Sequence, residues 1–513
     1  MSHLSIVSES TQEELTQGES IQAVSPSDVE KCINACKEQF NQILSGILEG
    51  ESQEAHKVEK SIFKELMRLG LLLLNLFFAN HNQGDYGEVL KTSKGISRRG
   101  RTSEKSYLSV FGKLKVKRYL YHIGDESFAP LDIALNLPKR CYSYVLSELV
   151  NFLDIRGAYL EGSKFLEKFF SLKLSISALE TISSESSVHY DDYYDVKNNL
   201  PKAVRETDFI VIGFDGKGVP VIKKEAGKIQ GRQGKGEKRQ KKKEALVGVK
   251  YNVNARIRSG EEVAANLVYP ERKKEEDKSK SPEKGENIRY IASVEQPKKK
   301  VMQEIKEQIK GETFIINPLV CVMDGAPYLW KLFKKLYKEI KNKVLILDII
   351  HVLEYIWLIA HAKYKEGSDD AKEYVYENLK LILKGKVASY IMELQREMMS
   401  DKLSNSKKKT FSKVITYLKN HRHYMKYDEY LARGYPIGSG IVESACGHVV
   451  KDRMEITGAR WGISGAEAIL KLRSIVKSND WDNYWEFFTK QKKNNEFFPN
   501  GDNPINSKQK LFA

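Results

Sequence analysis

The sequence predicts a mixed α/β protein with a central sheet, a mainly helical region before the sheet and a helical insertion within it. Between residues 208 and 350, short apolar runs rich in β-branched residues alternate with segments of helical periodicity. Two of the apolar runs end directly at an aspartate, Asp215 and Asp324. From residue 351 to about 426 the pattern is almost entirely helical, which predicts the insertion.

The order of the predicted elements specifies the sheet further. Three strands, a helix, a strand, a helix, a strand and a later helix follow one another, which is the order of a ribonuclease-H-like fold. That fold places one aspartate on its first strand, a second at the end of its fourth and an acidic residue on its final helix, and Asp215, Asp324 and Glu443 have these positions. The elements are predicted as strands at 209–214, 245–253 and 263–269, a helix at 298–310, a strand at 314–323, a helix at 328–340 and a strand at 344–350.

The N-terminal region is predicted to be mainly helical, from about Pro26 and again over 54–79. A hairpin follows. On its second strand three lysines alternate with apolar residues and form one basic face, which is either a contact for the DNA backbone or a solvated strand face. These lysines are Lys113, Lys115 and Lys117.

A pair of helices is predicted after the hairpin. The segment 159–170 is amphipathic, and a second helix begins near Ser177 after a short break. Serines at the break, Ser175 and Ser177, are suitable N-cap residues. The pattern is compatible with a DNA-reading helix-turn-helix and equally with an ordinary helical hairpin.

Six segments are therefore predicted along the chain. They are a helical region with a loose start at 1–91, a basic hairpin and helix-turn-helix-like DNA-binding region at 92–205, the first part of the core at 206–351, the helical insertion at 352–433, the final helix of the core at 434–480 and a C-terminal tail at 481–513.

Three short motifs contain the candidate catalytic carboxylates. They read FDGKG at 214–218, MDGA at 323–326 and GSGIVES at 438–444. Divalent cations such as Mg²⁺ and Mn²⁺ prefer oxygen ligands, and two such ions catalyse in-line phosphoryl transfer. An Asp-Gly pair by itself is more often a simple turn. Together, the motifs predict a two-metal site held by Asp215, Asp324 and Glu443.

Charge and cysteine usage limit the class of protein. Lys and Arg number 84 against 68 Asp and Glu, which gives a net charge of +16 and favours an anionic partner such as nucleic acid. Five scattered cysteines without a CxxC pair argue against a disulfide framework or a zinc site, and suit a reducing cytoplasm. The longest apolar run, 69–79, is too short to span a bilayer, so no membrane association is expected.

A basic, glycine-containing segment joins the first two predicted strands, between residues 223 and 243. It is either a solvated loop or a clamp for DNA phosphates near Asp215. The DNA contacts predicted around the first strand are Lys217, Lys241, Lys242 and Lys243.

Several longer segments resemble the ISKra family of bacterial insertion-sequence transposases. The similarity runs from about residue 95 to 488, and the C-terminal block is its most specific part. The matching segments are DGKGVP at 215–220, DGA at 324–326, DIIHVLEYIW at 348–357, YPIGSGIVESAC at 435–446, HVVKDRM at 448–454, TGARW at 457–461 and GAEA at 465–468. The chain lacks the cysteine pair that many family members have after the hairpin; residues 121–126 read YHIGDE.

The resemblance implies a DDE transposase with Asp215, Asp324 and Glu443 as metal ligands and with a helical insertion before the glutamate. It also implies that His351 lies near the scissile phosphate; a hydrogen-bonded structural histidine is the alternative. Four residues after Glu443 are predicted to contact phosphate or to stack on a flipped base, with core packing as the alternative for the tryptophan. They are Lys451, Arg453, Arg460 and Trp461.

The expected activity is DNA cleavage at insertion-sequence ends followed by strand transfer into target DNA. The expected partners are double-stranded DNA, as terminal repeats and as target, and further copies of the chain, in a dimer or larger synaptic assembly. The expected location is the bacterial cytoplasm, associated with the nucleoid. Two alternatives remain open: a nuclease of the ribonuclease-H fold that does not join strands, and an inactive transposon-derived DNA-binding protein.

Overall fold

The structure is a computed structural model in which the chain divides into two units. The described residues are 21–22, 29–48, 53–92, 95–201, 207–227, 242–272, 285–312, 314–399, 403–456 and 458–497. Unit 1 combines Met1–His189 with Asp482–Ala513, and unit 2 is Tyr190–Trp481. The ends of the chain thus belong to one unit, and the predicted acidic residues all belong to the other.

The sheet of unit 1 contains the predicted hairpin. Its two long strands pair antiparallel, with Leu114 and Val116 buried and the alternating lysines outside the core, as expected from period-two patterning. The order in the sheet is β1-β4-β3-β2, with β5 beside β4. The strands are β1 Ile21–Gln22, β2 Val89–Thr92, β3 Gly95–Ser109, β4 Gly112–Ile123 and β5 Glu126–Phe128.

The helices of unit 1 begin and end close to the predicted positions. Ser175 is an N-cap, since its side chain accepts a hydrogen bond from the backbone N–H of Ala178 at 3.2 Å, as predicted. The helices before residue 190 are α1 Val29–Leu48, α2 Ala55–Ala79, α3 Pro130–Ala134, α4 Tyr144–Asp154, α5 Tyr159–Phe170 and α6 Ile176–Ser186.

The predicted C-terminal tail is helical over Trp481–Phe497. Trp485 and Phe488 are buried, and the Tyr484 hydroxyl donates to the carbonyl of Ser186 at 2.5 Å. An aromatic cluster therefore completes unit 1 with residues from the far end of the chain.

The sheet of unit 2 has five strands in the order β8-β7-β6-β9-β10. Strands β6, β9 and β10 run parallel, and β7 and β8 are antiparallel to their neighbours. All five residues of β9 are buried, which explains its continuous apolar sequence, since parallel strands are covered on both faces. The strands are β6 Phe209–Pro220, β7 Lys242–Val253, β8 Glu286–Ser293, β9 Leu319–Met323 and β10 Lys343–Leu347.

The strand predicted at 263–269 is wrong. The structure has a helix at Gly260–Val268, and the third strand of the sheet is β8. Ser259 caps this helix by accepting from the Glu262 N–H at 3.0 Å, and acidic residues in the first turn complement the helix dipole.

A run of helices lies between β10 and Glu443, where the helical insertion is predicted. No helix of the described part of the chain is long and apolar enough to cross a membrane. The helices of unit 2 are α7 Tyr190–Asn199, α8 Lys223–Ala226, α9 Gly260–Val268, α10 Lys298–Gln308, α11 Pro327–Leu336, α12 Ile349–Lys363, α13 Asp369–Leu383, α14 Val387–Met398, α15 Asn405–His421, α16 Tyr427–Ala432, α17 Gly440–Ala445, α18 Asp452–Met454 and α19 Ile463–Lys477.

Candidate active site

Acidic residues follow one another across the three parallel strands of unit 2. Phe214 pairs with Met323, and Met323 pairs with Leu347. The residue that follows each of these in the chain is an aspartate: Asp215, which is still within β6, and Asp324 and Asp348, which come directly after β9 and β10. Because neighbouring strands lie about 4.8 Å apart, this register places three aspartates in one row across the sheet.

Asp215 lies within β6 and is half-buried. One carboxylate oxygen accepts from the backbone N–H of Gly216 at 2.6 Å, and the other accepts from the Cys446 thiol at 3.3 Å. Burial, and then the charge of Asp215, raises the pKa of the Cys446 thiol far above its usual range. The thiol therefore remains protonated and serves as a hydrogen-bond donor to the carboxylate.

Asp324 begins the turn between β9 and α11. Its Oδ1 accepts from the Ala326 N–H at 3.1 Å, the usual bond of an Asp in such a turn. Burial raises the pKa of Asp324; the negative charge of Asp215 adds to the rise, while the Ala326 N–H and His351 oppose it. The two aspartates repel each other, so a bound cation would relieve the repulsion.

Glu443 lies exposed on α17, which packs directly on β6. A Cβ atom at Gly213 would lie 2.5 Å from Val442 Cγ2 and 2.8 Å from the Val322 carbonyl oxygen. Only glycine allows this close approach of helix to strand. The charge of Glu443 acts on the Cys446 thiol, which itself contacts Asp215. Glu443 and Asp215 therefore belong to the same neighbourhood.

A metal site held by these three residues stays a prediction. Within the described ranges, no group of three or more His, Cys, Asp or Glu side chains is arranged to hold a metal ion. The donor types nevertheless fit a hard divalent cation, since all three are carboxylates and the Asp215–Asp324 repulsion favours a positive charge between them.

His351 lies in the first turn of α12, close to Asp324. Its Nδ1 is 3.3 Å from Glu354 Oε2, and its Nε2 is 3.9 Å from Asp348 Oδ2. Burial disfavours the charged imidazole, but Asp348, Glu354 and Asp324 outweigh this effect and raise the pKa of His351. The structure therefore places an imidazole with a raised pKa beside Asp324, and its contact with a phosphate stays a prediction.

Asp348 links the sheet to the Glu443 helix, a role that was not predicted. The side chain is buried, and its Oδ1 accepts from the N–H groups of Ile350 at 3.0 Å and Ser439 at 3.1 Å. Its Oδ2 accepts from the Ser439 hydroxyl. Ser439 in turn accepts from the Glu443 N–H at 2.8 Å through its carbonyl. One carboxylate thus caps α12 and holds the start of α17.

A π-helical turn, Cys446–Lys451, follows α17 directly. Its carbonyl groups at Val449 and His448 accept from the buried Arg473 guanidinium, the first at 2.7 Å. π-Helical turns are rare in proteins, and those that do occur are often found at functional sites. No spacing in the sequence indicates the turn, because the arginine that stabilises it lies on α19.

Two predicted DNA contacts are corrected by the structure. Arg453 and Trp461 are buried, with the guanidinium 4.6 Å from the centre of the indole ring. The indole N–H donates to the Met454 carbonyl at 3.1 Å, and the Trp461 backbone N–H donates to the Pro220 carbonyl at 3.0 Å. These contacts give the pair a packing role, the alternative considered for Trp461, because buried side chains cannot reach a phosphate or a base.

The other predicted basic contacts are distributed differently. Lys451 and Arg460 are exposed, and Lys217 and Lys243 are half-buried. Lys242 is exposed and pairs with Glu455 at 2.5 Å, while Lys241 lies outside the described residues. Contacts of Lys217, Lys242, Lys243, Lys451 and Arg460 with DNA stay predictions.

Comparisons with known proteins add little to this geometry. No protein-family model matches the sequence, and no curated protein matches it. Among solved structures, the chain is similar to the Drosophila P element transposase strand transfer complex, with 11% identity and a TM-score of 0.25 over 71% of this chain and 84% of that chain. Similarity at this level supports no conclusion about fold or function, and the ISKra resemblance stays a prediction.

Proposed function

We propose that this protein is a DDE transposase, which cleaves DNA at the ends of an insertion element and joins the freed ends to target DNA. One observation carries the proposal: the order of strands and acidic residues in unit 2. Asp215 lies on the first strand, Asp324 directly after the fourth, and Glu443 on a helix packed against the first. This arrangement is the one expected of a ribonuclease-H-like core.

The carboxylates are the proposed ligands of Mg²⁺ or Mn²⁺. Asp215 and Asp324 are neighbours across the sheet, and Glu443 is exposed and close to Asp215 through Cys446. A divalent ion held by these carboxylates would supply activation of water or of a 3′-hydroxyl and stabilisation of the leaving oxygen in an in-line displacement.

The chain itself contributes positioning and charge. His351, whose pKa is raised by surrounding carboxylates, donates a hydrogen bond to a phosphate oxygen near Asp324. Asp348 keeps α17 in place, so that Glu443 stays at the same end of the sheet. Positioning of this kind accounts for much of the rate in phosphoryl transfer, where little covalent chemistry falls to the protein. Double-stranded DNA is the proposed partner, and joining two element ends requires at least two copies of the chain.

Strand cleavage tests the proposal most directly. The full-length protein is incubated with DNA that flanks its own gene, in Mg²⁺ or Ca²⁺, beside Glu443→Gln. The control is Glu429→Gln, the same change at an exposed glutamate on α16. We expect Mg²⁺-dependent nicks at discrete positions in the wild type and the control, with at least a hundredfold loss in Glu443→Gln, about 3 kcal/mol of barrier.

Labelled 3′ ends distinguish the alternatives. Transfer of the label into target DNA supports a transposase, whereas cleavage without transfer identifies a nuclease. Salt-sensitive DNA binding without cleavage in Mg²⁺ identifies an inactive, transposon-derived DNA-binding protein. Full cleavage by Glu443→Gln contradicts the assigned carboxylate site.

A further inference from the structure

A groove of about 490 Å³ opens beside Asp324, between the first helix of the insertion and α15. The volume lies within the range of small-molecule binding sites. The groove adjoins the carboxylate site, since Asp324 and His351 line it, and its remaining walls come from the turn after Asp324 and from the helices α12 and α15. The lining residues used below are Asp324, Glu354, Tyr355, Lys413, Thr416 and Tyr417.

Two tyrosines form an aromatic platform in this groove. The rings of Tyr355 and Tyr417 stack with centroids 3.7 Å apart and planes 9° apart. Both residues are half-buried, so part of the platform is accessible. Lys413, exposed on α15, places its Nζ 5.7 Å from the centre of the Tyr355 ring. An aromatic face with an adjacent cation is the usual support for an unpaired base.

The platform is held at the Asp324 turn. A Cβ atom at Gly325 would lie 2.4 Å from Tyr417 Cε2, so the ring rests directly on this glycine. The buried His421 makes contacts of 2.8 Å from Nδ1 to the Tyr417 carbonyl and 3.0 Å from Nε2 to the Gly325 carbonyl. The distance between the platform and Asp324 is therefore fixed by packing and hydrogen bonds.

The chemistry of the walls selects the class of ligand. The carboxylates of Asp324 and Glu354 repel a free anion at one side of the groove. Thr416 is exposed on α15, and its hydroxyl can form a hydrogen bond with the polar edge of a ligand. We propose that the groove binds one unpaired nucleobase of the DNA strand that reacts at Asp324. This inference rests on the proposed function, and it gives the insertion a direct part in holding the DNA end. It also replaces Trp461, which is buried, as the site of base stacking.

Equilibrium binding tests the groove without cleavage. The full-length protein, in Ca²⁺, is titrated with a duplex that carries a short single-stranded 3′ extension and with the same duplex made blunt. Stacking contributes about 1–3 kcal/mol per base, so Tyr355→Leu should reduce the preference for the extended duplex by roughly 5- to 150-fold. Tyr355→Phe keeps the ring and should keep the preference.

A matched control is Tyr376→Leu, since Tyr376 is half-buried on α13 of the same insertion but does not line the groove. It should bind both duplexes as the wild type does. An unchanged preference in Tyr355→Leu overturns the proposal.

A second measurement on the wild type does not depend on the folding of any variant. A 2-aminopurine placed in the extension should lose fluorescence on binding, because stacking quenches it, and no loss at any position of the extension overturns the proposal. The outcomes remain separable from the proposed function. If a base stacks in the groove but no Mg²⁺-dependent cleavage occurs, the base-binding proposal stands and the proposed transposase activity is wrong. If cleavage occurs but the preference for the extended duplex does not depend on Tyr355, the transposase activity stands and the base-binding proposal is wrong.

Discussion

Asp348 shows what a single buried carboxylate contributes at the candidate site. It accepts hydrogen bonds from two backbone N–H groups and one hydroxyl, and these partners belong to α12 and to the turn before α17. Removal of the side chain leaves the Ile350 and Ser439 N–H groups without their acceptor in a buried place, which costs more than the bonds themselves contribute.

We expect Asp348→Ala to lower the free energy of unfolding by about 3 kcal/mol, and Asp348→Asn by about 1 kcal/mol, since asparagine keeps the oxygen that serves both N–H groups. Urea unfolding of the two variants beside the wild type measures the difference. Equal losses in the two variants would show that the negative charge matters rather than the hydrogen bonds.

Glu304 on α10 predicts a pH dependence of stability. Burial, and then the charge of Asp191, raises the pKa of Glu304 to about 7. Between the unfolded pKa and this value the unfolded state loses its proton while the folded state keeps it. Stability therefore falls as the pH rises through this window, and the penalty is complete above about pH 7.

Glu304→Gln has no proton to lose, so we expect it to be about 2 kcal/mol more stable than the wild type near pH 8 and similar to it below about pH 4.5. Denaturant unfolding at several pH values measures this. Glu307→Gln, at an exposed position of the same helix, serves as the control and should show no such trend. A difference that does not vary with pH would contradict the assignment.

At the scale of elements, α15 contacts the turn after Asp324 at one glycine, Gly325. Gly325→Ala places a methyl group against Tyr417, 2.4 Å from Cε2 in the present geometry, and pushes the helix away. The His421 contact with the Gly325 carbonyl is then strained or lost. We expect a loss of about 2 kcal/mol in the free energy of unfolding and a weaker preference for the extended duplex.

The control for this prediction is Gly465→Ala on α19, because a Cβ atom there meets open space. Alanine is the better helix former, so this change should be neutral or slightly stabilising. Equal effects of the two substitutions on stability would contradict the close contact between Gly325 and Tyr417.

The Glu443 helix is attached to β6 in a similar way, through Gly213 and Val442. The Cys446 thiol is buried under this helix and its pKa is raised by burial and by Asp215, so it should react slowly with thiol reagents in the wild type. Gly213→Ala forces the helix from the strand. We expect the modification rate of Cys446 to rise roughly tenfold, because the free energy needed to open this region locally falls by about 1.4 kcal/mol.

Ellman's reagent and mass spectrometry of the labelled peptide measure this rate. Gly447→Ala introduces the same methyl group into open space on the adjacent turn and should leave the rate unchanged. If Cys446 still reacts slowly with the reagent in the Gly213→Ala variant, the position of α17 does not depend on the glycine contact.

At the scale of the whole molecule, the chain returns to its first unit at its end. Trp485 and Phe488 are buried in unit 1, whereas Glu304 belongs to unit 2. We expect Trp485→Ala to destabilise unit 1 by about 3 kcal/mol and to lower one of two transitions in differential scanning calorimetry. Glu304→Gln near pH 8 should instead move the other transition upward. A single transition that shifts in both variants would contradict separate units.

Sequence patterns were most reliable where one face of an element is buried. The amphipathic segment at 54–79, the hairpin and the N-cap at Ser175 follow local rules, and the structure agrees with each. The segment 263–269 failed because a short apolar run has no clear period, and the cap at Ser259 outweighs the β-branched residues.

Residues after Glu443 show the limit of motif reasoning. Arg453 and Trp461 follow the Glu443 motif in the sequence and have side chains suited to DNA, yet they pack against each other in the core. Their burial depends on contacts with Pro220 and Met454, which no spacing reveals. The sequence gives no sign of the role of Asp348, because its partner Ser439 is 91 residues away.

The sequence by itself determined most of the strands and helices, the helical run before Glu443 and the identity of the three candidate carboxylates, because these depend on local periodicity and on residue chemistry; the third strand, β8, was not among them. Tertiary structure alone decided that Asp215, Asp324 and Asp348 share one row of the sheet, that Tyr355 and Tyr417 form a platform beside it, and that the chain end completes unit 1. Those features arise from packing between segments far apart in the chain, where close approach at residues such as Gly213 and Gly325 selects the arrangement.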